Sequence, residues 1–323
     1  MAADTRGNWT NAIPDVGLKL AEFFDQGQLL YTPGISNILT KRTGAGAQMN
    51  YEGKTTAGRL KKTAEGDDAV LNQRYLSYLT KVSYTKYTGS LEVTEEMMED
   101  RDFGNAFDEA SELGRVANFS LDESGMQLFN GGFATTTLVN GYEMTWYGDA
   151  KATYSTVHPT KVPGASTQSN ASSTGIKMNH DNLEVAQIAL VEQQLDNGLP
   201  VNFMGKPMLV VPPALEREAR EELESELDPS NANNAINVWR GKFDMASSLF
   251  LAAANDGSNT RWFLVTPGVD KQYFEVRKAP SLEMEKAVRS GTQVFVTKAR
   301  WACWVGDWRA KYGSQGDLAS YSG

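Results

Sequence analysis

The 323-residue chain contains one cysteine, Cys303, and only two histidines, His158 and His180. A lone cysteine rules out an intrachain disulfide and any cysteine-built zinc cluster, so folding is expected to owe nothing to oxidation. The histidines are too far apart in sequence to form the i, i+4 pair of a helical zinc site. No run approaches the roughly 18 consecutive apolar residues of a membrane helix. The opening MAADTRGNWTNAIPDVGLKL lacks a basic segment followed by an apolar one. Neither a secretory signal nor a membrane partner is therefore expected, and the protein reads as soluble. A compact chain of this length buries roughly 75% of its unfolded surface, enough to fold without staples or metal.

Nucleotide and nucleophile signatures are missing as well. Between Gly198 and Gly205-Lys206 the spacing is wrong for a phosphate loop, and Pro207 stands where a hydroxyl residue is required. Gly44-Ala45-Gly46 has no third glycine and no apolar strand before it. Ser83 and Lys86 fit S-x-x-K without a companion motif. His158 precedes a proline in a turn, His180 sits beside a helix start, and Cys303 lies in the aromatic run RWACWVGDW with no base nearby. Three N-x-[ST] sequons, at Asn8, Asn118 and Asn170, read as chance, Asn118 falling inside a helical pattern. No catalytic residue, cofactor or metal site emerges, and the chain is not expected to be an enzyme.

What is present is charge, unevenly spread. Residues 92–123 hold eleven acids and two bases, a net of −9, equal to that of the whole chain. Residues 41–81 hold eight bases (Lys41, Arg42, Lys54, Arg59, Lys61, Lys62, Arg74 and Lys81) against four acids, a net of +4. Such blocks can be solvated faces, or opposed surfaces that steer and register subunits. Tyr51, Tyr75 and Tyr78 among the bases would suit nucleic acid, but a pI near 5.0 argues against a dedicated binder.

Periodicity organises the rest. Residues 1–40 show one short helical pattern at Leu18, Leu20, Phe23 and Phe24 and read as an arm. Alternation in MNYEGKTT and AVLNQRYLSYL predicts a long hairpin over 41–81, which cannot bury both faces alone. KVSYTKYTGSLEVT (81–94) is β-like. Phe103, Phe107, Ala110, Gly114, Ala117, Leu121 and Leu128 then form one helical stripe, about 39 Å long at 1.5 Å per residue, with an acidic back. GASTQSNASSTG (164–175) predicts a flexible surface loop. HDNLEVAQIALVEQQLDNG predicts a helix capped by Asp181, with Glu184 three residues on, buried through Leu183, Ala186, Leu190, Val191 and Gln194 or Leu195, and stopped at Gly198. GKPMLVVPPALEREAREELES (205–225) reads as strand Met208–Val211, two prolines and an amphipathic helix with Pro213 in its first turn. Pro212 and Pro213 remove the N–H groups that an anion site would need at such a junction. Further strands are expected at INVWRG, RWFLV, YFEVR and GTQVFVTKARWACWVG, which makes 131–271 a mixed α/β domain.

This ordered set resembles the major capsid proteins of tailed bacteriophages. The stretches that carry the resemblance are YSTVHPTKVPGA (154–165), LPVNFMGKPMLVVPPALEREAREELES (199–225), NANNAINVWRG (231–241), TRWFLV (260–265) and the closing EVRKAPSLEMEKAVRSGTQVFVTKARWACWVGDWRAKYG, within roughly residues 30–313. The resemblance implies an α+β tailed-phage capsid fold. Its parts would be an N-terminal arm (1–40), an extended β-hairpin loop (41–81), a peripheral domain with a long spine helix (82–130), an α/β axial domain (131–271), and peripheral return strands with a C-terminal tail (272–323).

The implied function is a shell of pentamers and hexamers around double-stranded DNA held without sequence-specific binding, with a portal protein and, in some shells, a decoration protein. Because the chain begins almost at the arm, a separate scaffolding protein is expected. The shell would be found in the virion, assembled in the bacterial host cytoplasm. Lys41, Arg42, Lys54, Arg59, Lys61, Lys62 and Arg74 would face a neighbour's peripheral domain, where Glu109 and Glu112 lie. Pro212 and Pro213 would pack in the axial domain around the symmetry axes. Some relatives cross-link a loop lysine to a neighbour's asparagine. No motif here identifies such a partner set, so cohesion is expected to be non-covalent. Two other readings remain open: an encapsulin-like nanocompartment shell around cargo enzymes, and a soluble enzyme using the acidic helix.

Overall fold

The computed structural model describes residues 6–54, 60, 62–66, 68, 74–100, 102–201, 205–229, 235–286 and 292–321, with side chains from residue 16. In chain order the elements are α1 (Arg6–Leu29), β1 (Thr40–Thr43), β2 (Gln48–Lys54), β3 (Leu76–Ser83), β4 (Thr85–Val93), α2 (Glu95–Asp100), α3 (Gly104–Asn130), β5 (Leu138–Val139), β6 (Tyr142–Thr145), α4 (His180–Val191), β7 (Met208–Val211), α5 (Glu216–Glu224), β8 (Asp244–Ser247), β9 (Trp262–Val265), β10 (Gln272–Lys286), β11 (Gln293–Val305) and β12 (Lys311–Ser314). Two compact units form. The first takes Met1–Gly34, Tyr84–Ser124 and Val276–Trp301; the second takes Ile35–Ser83, Gly125–Glu275 and Ala302–Gly323.

In the first unit β4 runs antiparallel to β11, from Val93 opposite Gln293 to Thr85 opposite Trp301. Leu91 therefore faces Phe295, and both join Leu20, Val93, Ala106 and Ala110 in one core. The expected stripe on α3 is largely there, with Ala106 added and Phe103 just ahead of the first turn. The chain before it is more regular than an arm with one short helical pattern, because α1 spans 24 residues. Leu20 and Phe24 are fully buried and Phe23 packs against the same core, while Leu18 is 67% exposed, so three of the four residues of that pattern pack.

Two glycines let α1 and α3 meet at backbone distance. A Cβ on Gly114 would lie 2.1 Å from the Phe24 carbonyl oxygen, and one on Gly27 would lie 1.9 Å from that of Ser111. Because both obstacles are backbone, no rotamer change relieves them. Gly114→Ala should cost at least the roughly 1–3 kcal/mol typical of overpacking and loosen α1. The checks are a lowered urea midpoint and faster proteolysis before Gly34.

Beyond its acidic back α3 changes character. Asp122 is buried and accepts from Tyr31 Oη at 2.6 Å and from the Gly34 amide at 3.2 Å. Asn118 donates to the carbonyls of Gln28 and Tyr31 at 2.7 and 3.3 Å. The sequon at Asn118 is thus a clamp on the end of α1. Burial, then the Asp122 carboxylate, pushes the Tyr31 hydroxyl well above its ordinary range.

The second unit is built on the sheet β12-β9-β7-β8, in which β7 runs antiparallel to β9 and parallel to β8. Its strands Met208–Val211 and Trp262–Val265 are buried along almost their whole length, as continuous apolar runs require. Leu183, Ala186 and Leu190 of α4 and Ala219 and Leu223 of α5 pack with Leu209, Val211, Trp262 and Leu264 into a single core. Two expectations fail here. The α4 cap is Asn179, whose side chain accepts from the Asn182 amide at 2.8 Å, rather than Asp181. The helix then stops at Val191 instead of running toward Gly198, because Gln193 leaves it to bond β12: its amide donates to the Lys311 carbonyl and its oxygen accepts from the Ala310 amide.

INVWRG is not a strand. Asn237 is buried as a clamp on the carbonyls of Glu222 and Ser225, Ile236 and Val238 point to solvent, and β8 begins only at Asp244. Nor is 164–175 wholly a surface loop. Asn170 is fully buried, donating to the carbonyls of Thr153 and Trp308 and accepting from the Ser155 amide.

Candidate assembly surfaces

The hairpin β2–β3 has a packed stem and an exposed end. Antiparallel pairs run from Gln48 opposite Ser83 to Lys54 opposite Leu76, with an irregularity between Glu52 and Lys54. The stem rests on its own second unit. Tyr51 meets Trp304 at 5.2 Å between ring centroids, Ser77 and Tyr147 share a 2.6 Å hydroxyl contact, and Tyr78 meets Tyr147 edge-on. Lys161 lies 4.6 Å from the Tyr78 ring and donates to the Ser77 carbonyl. Beyond the stem, Leu60 is 96% exposed.

The predicted basic residues are not gathered at one point. Lys41 and Arg42 are on β1, both exposed, with the Arg42 guanidinium 4.2 Å over the Tyr273 ring. Lys62 and Arg74 are exposed, Lys54 ends β2, and Arg59 and Lys61 lie outside the described residues. Glu109 and Glu112 are exposed on α3. Glu112 already holds Arg115 through two contacts of 2.6 and 2.8 Å, and that bond keeps its carboxyl below the usual range.

Pro212 is buried and extended after β7; Pro213 is exposed and opens a short 3₁₀ turn, Pro213–Leu215, that leads into α5. On α5, Arg220 pairs with Glu216 at 2.9 Å and Glu224 at 3.2 Å, a surface ladder contributing a few tenths of a kcal/mol per pair.

The charged groups that sequence reasoning missed are buried. Lys311 Nζ lies 2.6 Å from Asp270 Oδ1, with both side chains essentially inaccessible. Arg309 reaches Asp196 at 2.5 Å and Asp307 at 3.1 Å, and Lys271 reaches Asp307 at 3.2 Å. A signal existed in the sequence: Asp307, Arg309 and Lys311 recur at every second position in an otherwise apolar and aromatic stretch. Burial alone would push the Asp307 carboxyl up, but Arg309 and Lys271 outweigh it and hold it below the ordinary range. With the folded value depressed, its stabilisation is present above the unfolded value, about 3.9, and is lost as pH falls through the folded one. Asp307→Asn should therefore be less stable than wild type by about 2 kcal/mol at neutral pH. The gap should close in acid, as urea midpoints across pH would show.

The residues considered for catalysis have structural occupations. His158 is buried against the Trp308 ring at 4.2 Å, with Nδ1 2.8 Å from Asp149 and Nε2 3.2 Å from Asn170 Oδ1. Since the Asn170 amide nitrogen faces two carbonyls, its oxygen must face His158, which makes Nε2 the donor. His180 bridges Glu222 at 3.2 Å and Asp228 at 3.6 Å. Cys303 is buried. Among the described residues no cluster of histidine, cysteine and acidic side chains could hold a metal ion, and no helix is long and apolar enough to cross a membrane.

Known proteins decide what such a chain is. The sequence profile of the family described as phage capsid protein matches residues 79–313. The chain belongs to the phage capsid protein family. No curated protein matches the sequence. Solved structures share the fold of this capsid protein at low identity. The capsid of bacteriophage JBD30 is 15% identical over 69% of this chain and 93% of that one, with a TM-score of 0.54. The Mycobacterium phage Adephagia structure is 11% identical over 90% and 93%, with a TM-score of 0.52. The capsid of an empty GTA particle is 11% identical over 88% and 89%, also at 0.52. The chain is a phage capsid protein whose α+β fold is shared with these solved phage capsids.

Proposed function

We propose that this capsid protein closes the head shell through its hairpin, each copy laying residues 41–81 on a neighbour. The carrying observation is that the stem is anchored by Tyr51, Ser77 and Tyr78 while Leu60, Lys62 and Arg74 beyond it are exposed. Lys41, Arg42, Lys54, Arg59, Lys61, Lys62 and Arg74 give that loop its positive charge. Glu109 and Glu112 belong to the acidic stretch of 92–123 toward which a neighbour's loop is drawn. Each contact is modest, and repetition around closed rings makes it decisive.

In this reading 1–40 is the arm, 82–130 with the return strands that open 272–323 forms the peripheral domain, and 131–271, including the turn at Pro212 and Pro213 and joined in its sheet by β12 from the C-terminal tail, forms the axial domain of pentamers and hexamers. The shell performs no catalysis and encloses double-stranded DNA without reading its sequence. A net charge of −9 suits a wall that does not hold phosphate. Assembly takes place in the bacterial cytoplasm with a portal and a scaffolding protein. The JBD30 capsid is decorated with minor capsid protein trimers, and a decoration protein is a further partner here. Electron microscopy of purified protein, with scaffolding protein supplied, should show uniform icosahedral particles that boiling in SDS reduces to single chains. A small monodisperse species under those conditions would overturn the reading, and a protein cargo in place of DNA would turn it toward a nanocompartment.

A further inference from the structure

In the second unit His158 and Asp149 form a pair whose side chains are wholly inaccessible. Both ring nitrogens of His158 meet an oxygen: Nδ1 lies 2.8 Å from Asp149 Oδ2, and Nε2 lies 3.2 Å from Asn170 Oδ1. The Asn170 oxygen is an acceptor on two grounds. It receives the Ser155 amide at 2.8 Å, and the amide nitrogen of the same side chain serves the carbonyls of Thr153 and Trp308. Asp149 accepts the Lys151 amide on Oδ1 at 3.1 Å, as an ionised carboxylate does. A carboxylate can only accept and a neutral imidazole has one N–H, so two accepting oxygens call for a proton on each nitrogen. The Trp308 ring stacks on the imidazole at 4.2 Å and 2°, and an aromatic face favours a cation. Opposing this, the Arg309 guanidinium lies 4.5 Å from the centre of the same indole, but Asp196 and Asp307 hold that charge. The direct contact with Asp149 prevails.

The residues around this pair also grip the hairpin stem of their own chain. Tyr147 shares its hydroxyl contact with Ser77, and a Cβ on Gly148, next to Asp149, would lie 2.3 Å from the Leu79 carbonyl oxygen. Lys161, a few residues beyond His158, donates to the Ser77 carbonyl at 3.0 Å and lies over the Tyr78 ring. We propose that His158 is a buried imidazolium, protonated on both nitrogens, and that this proton is a switch on the grip that the 147–149 turn and the 158–161 loop keep on β3. When the proton leaves, a bare ring nitrogen faces an oxygen, and a buried hydrogen bond to a charged group is lost. The turn and the loop then part and the stem loosens. Because the gripped state holds the proton and the loosened state gives it up, the grip weakens as pH rises. The protonation state stands on geometry alone; its consequence, a pH-controlled clasp between subunits, rests on the shell reading.

The test reads the ring nitrogens directly. The chain has two histidines, so labelling histidine with heavy nitrogen gives two ring signatures in solid-state magnetic resonance, on free subunits and shells alike. His180→Gln leaves the signature of His158 alone; should that variant not fold, His158→Gln removes the other one instead. At pH 7 both nitrogens of His158 should carry protons, and one bare nitrogen overturns the proposal. Raising the pH until the ring loses a proton should speed amide exchange in β3, corrected for the intrinsic rate, by about tenfold, the effect of losing one such buried hydrogen bond. Exchange that ignores the ring's transition rejects the switch. Asp149→Asn can donate to a bare Nδ1, so ring and stem should both let go at lower pH than in wild type; an unmoved transition rejects Asp149 as the group that holds the proton. No step requires shells, so these failures are distinct from a failure of wild type to assemble, which would sink the shell reading itself.

Discussion

Replacing residues 55–75 with a two-residue Asn-Gly turn should leave a subunit that folds normally and builds no shells. The cut falls beyond the last stem pair, Lys54 opposite Leu76, so the contacts of Tyr51, Ser77 and Tyr78 that anchor the stem are kept. A type I′ turn continues the twist of the flanking strands. Shortening the connection lowers its closure entropy by on the order of 1–2 kcal/mol, so the urea midpoint should hold or rise. Assembly should fall from complete to undetectable, because every copy loses the segment that reaches its neighbour and the loss repeats at each contact around the shell. Sedimentation velocity and electron microscopy would show free subunits or isolated capsomers. A wider deletion of 44–78 would not separate the two effects: it removes Tyr51 from Trp304 and Ser77 from Tyr147, and so disturbs the core along with the interface. Normal particles from the narrow excision would mean that the loop is not the clasp.

The elements legible in the sequence are those whose pattern is set by their own burial. Met208–Val211 and Trp262–Val265 are continuous apolar runs buried on both faces, and a stripe read over 103–129 becomes a helix over Gly104–Asn130. Elements set by a distant partner were not legible. The α4 helix ends where Gln193 meets the backbone at 310 and 311, which no local stop signal records. Asp122 reads as one more surface acid until Tyr31 and Gly34 are folded onto it. In INVWRG the alternation mimics a strand, but Asn237 faces inward to cap two carbonyls while Ile236 and Val238 face out. The candidate surfaces were visible only as charge blocks, because an interface is completed by a second copy. Val191, read as part of the buried stripe of α4, is 56% exposed.

Lys311→Met should be the most destabilising of the single changes considered, and its pH dependence should identify the cause. Lys311 and Asp270 are buried together at 2.6 Å, pinning the start of β12 to the turn that follows β9. Burial pushes the Asp270 carboxyl up and the Lys311 ammonium down, and each partner offsets part of the other's shift. Removing the lysine alone strands a carboxylate without water, a loss of about 3–5 kcal/mol. Asp270 should then answer by keeping a proton. A folded-state value raised above the unfolded one, about 3.9, means that the folded protein binds more protons, so stability falls as pH rises between the two values. Lys311→Met should accordingly be most stable in mild acid and weaken toward neutrality, opposite in sign to the Asp307 pairing. Lys311→Met combined with Asp270→Leu removes both charges and should recover most of the loss at pH 7, since an apolar replacement of a buried pair is often neutral. Urea midpoints for the two variants at pH 5 and pH 7 separate the alternatives. If single and double variants are equally damaged at both, the cost is lost packing at β12 rather than an unpaired charge.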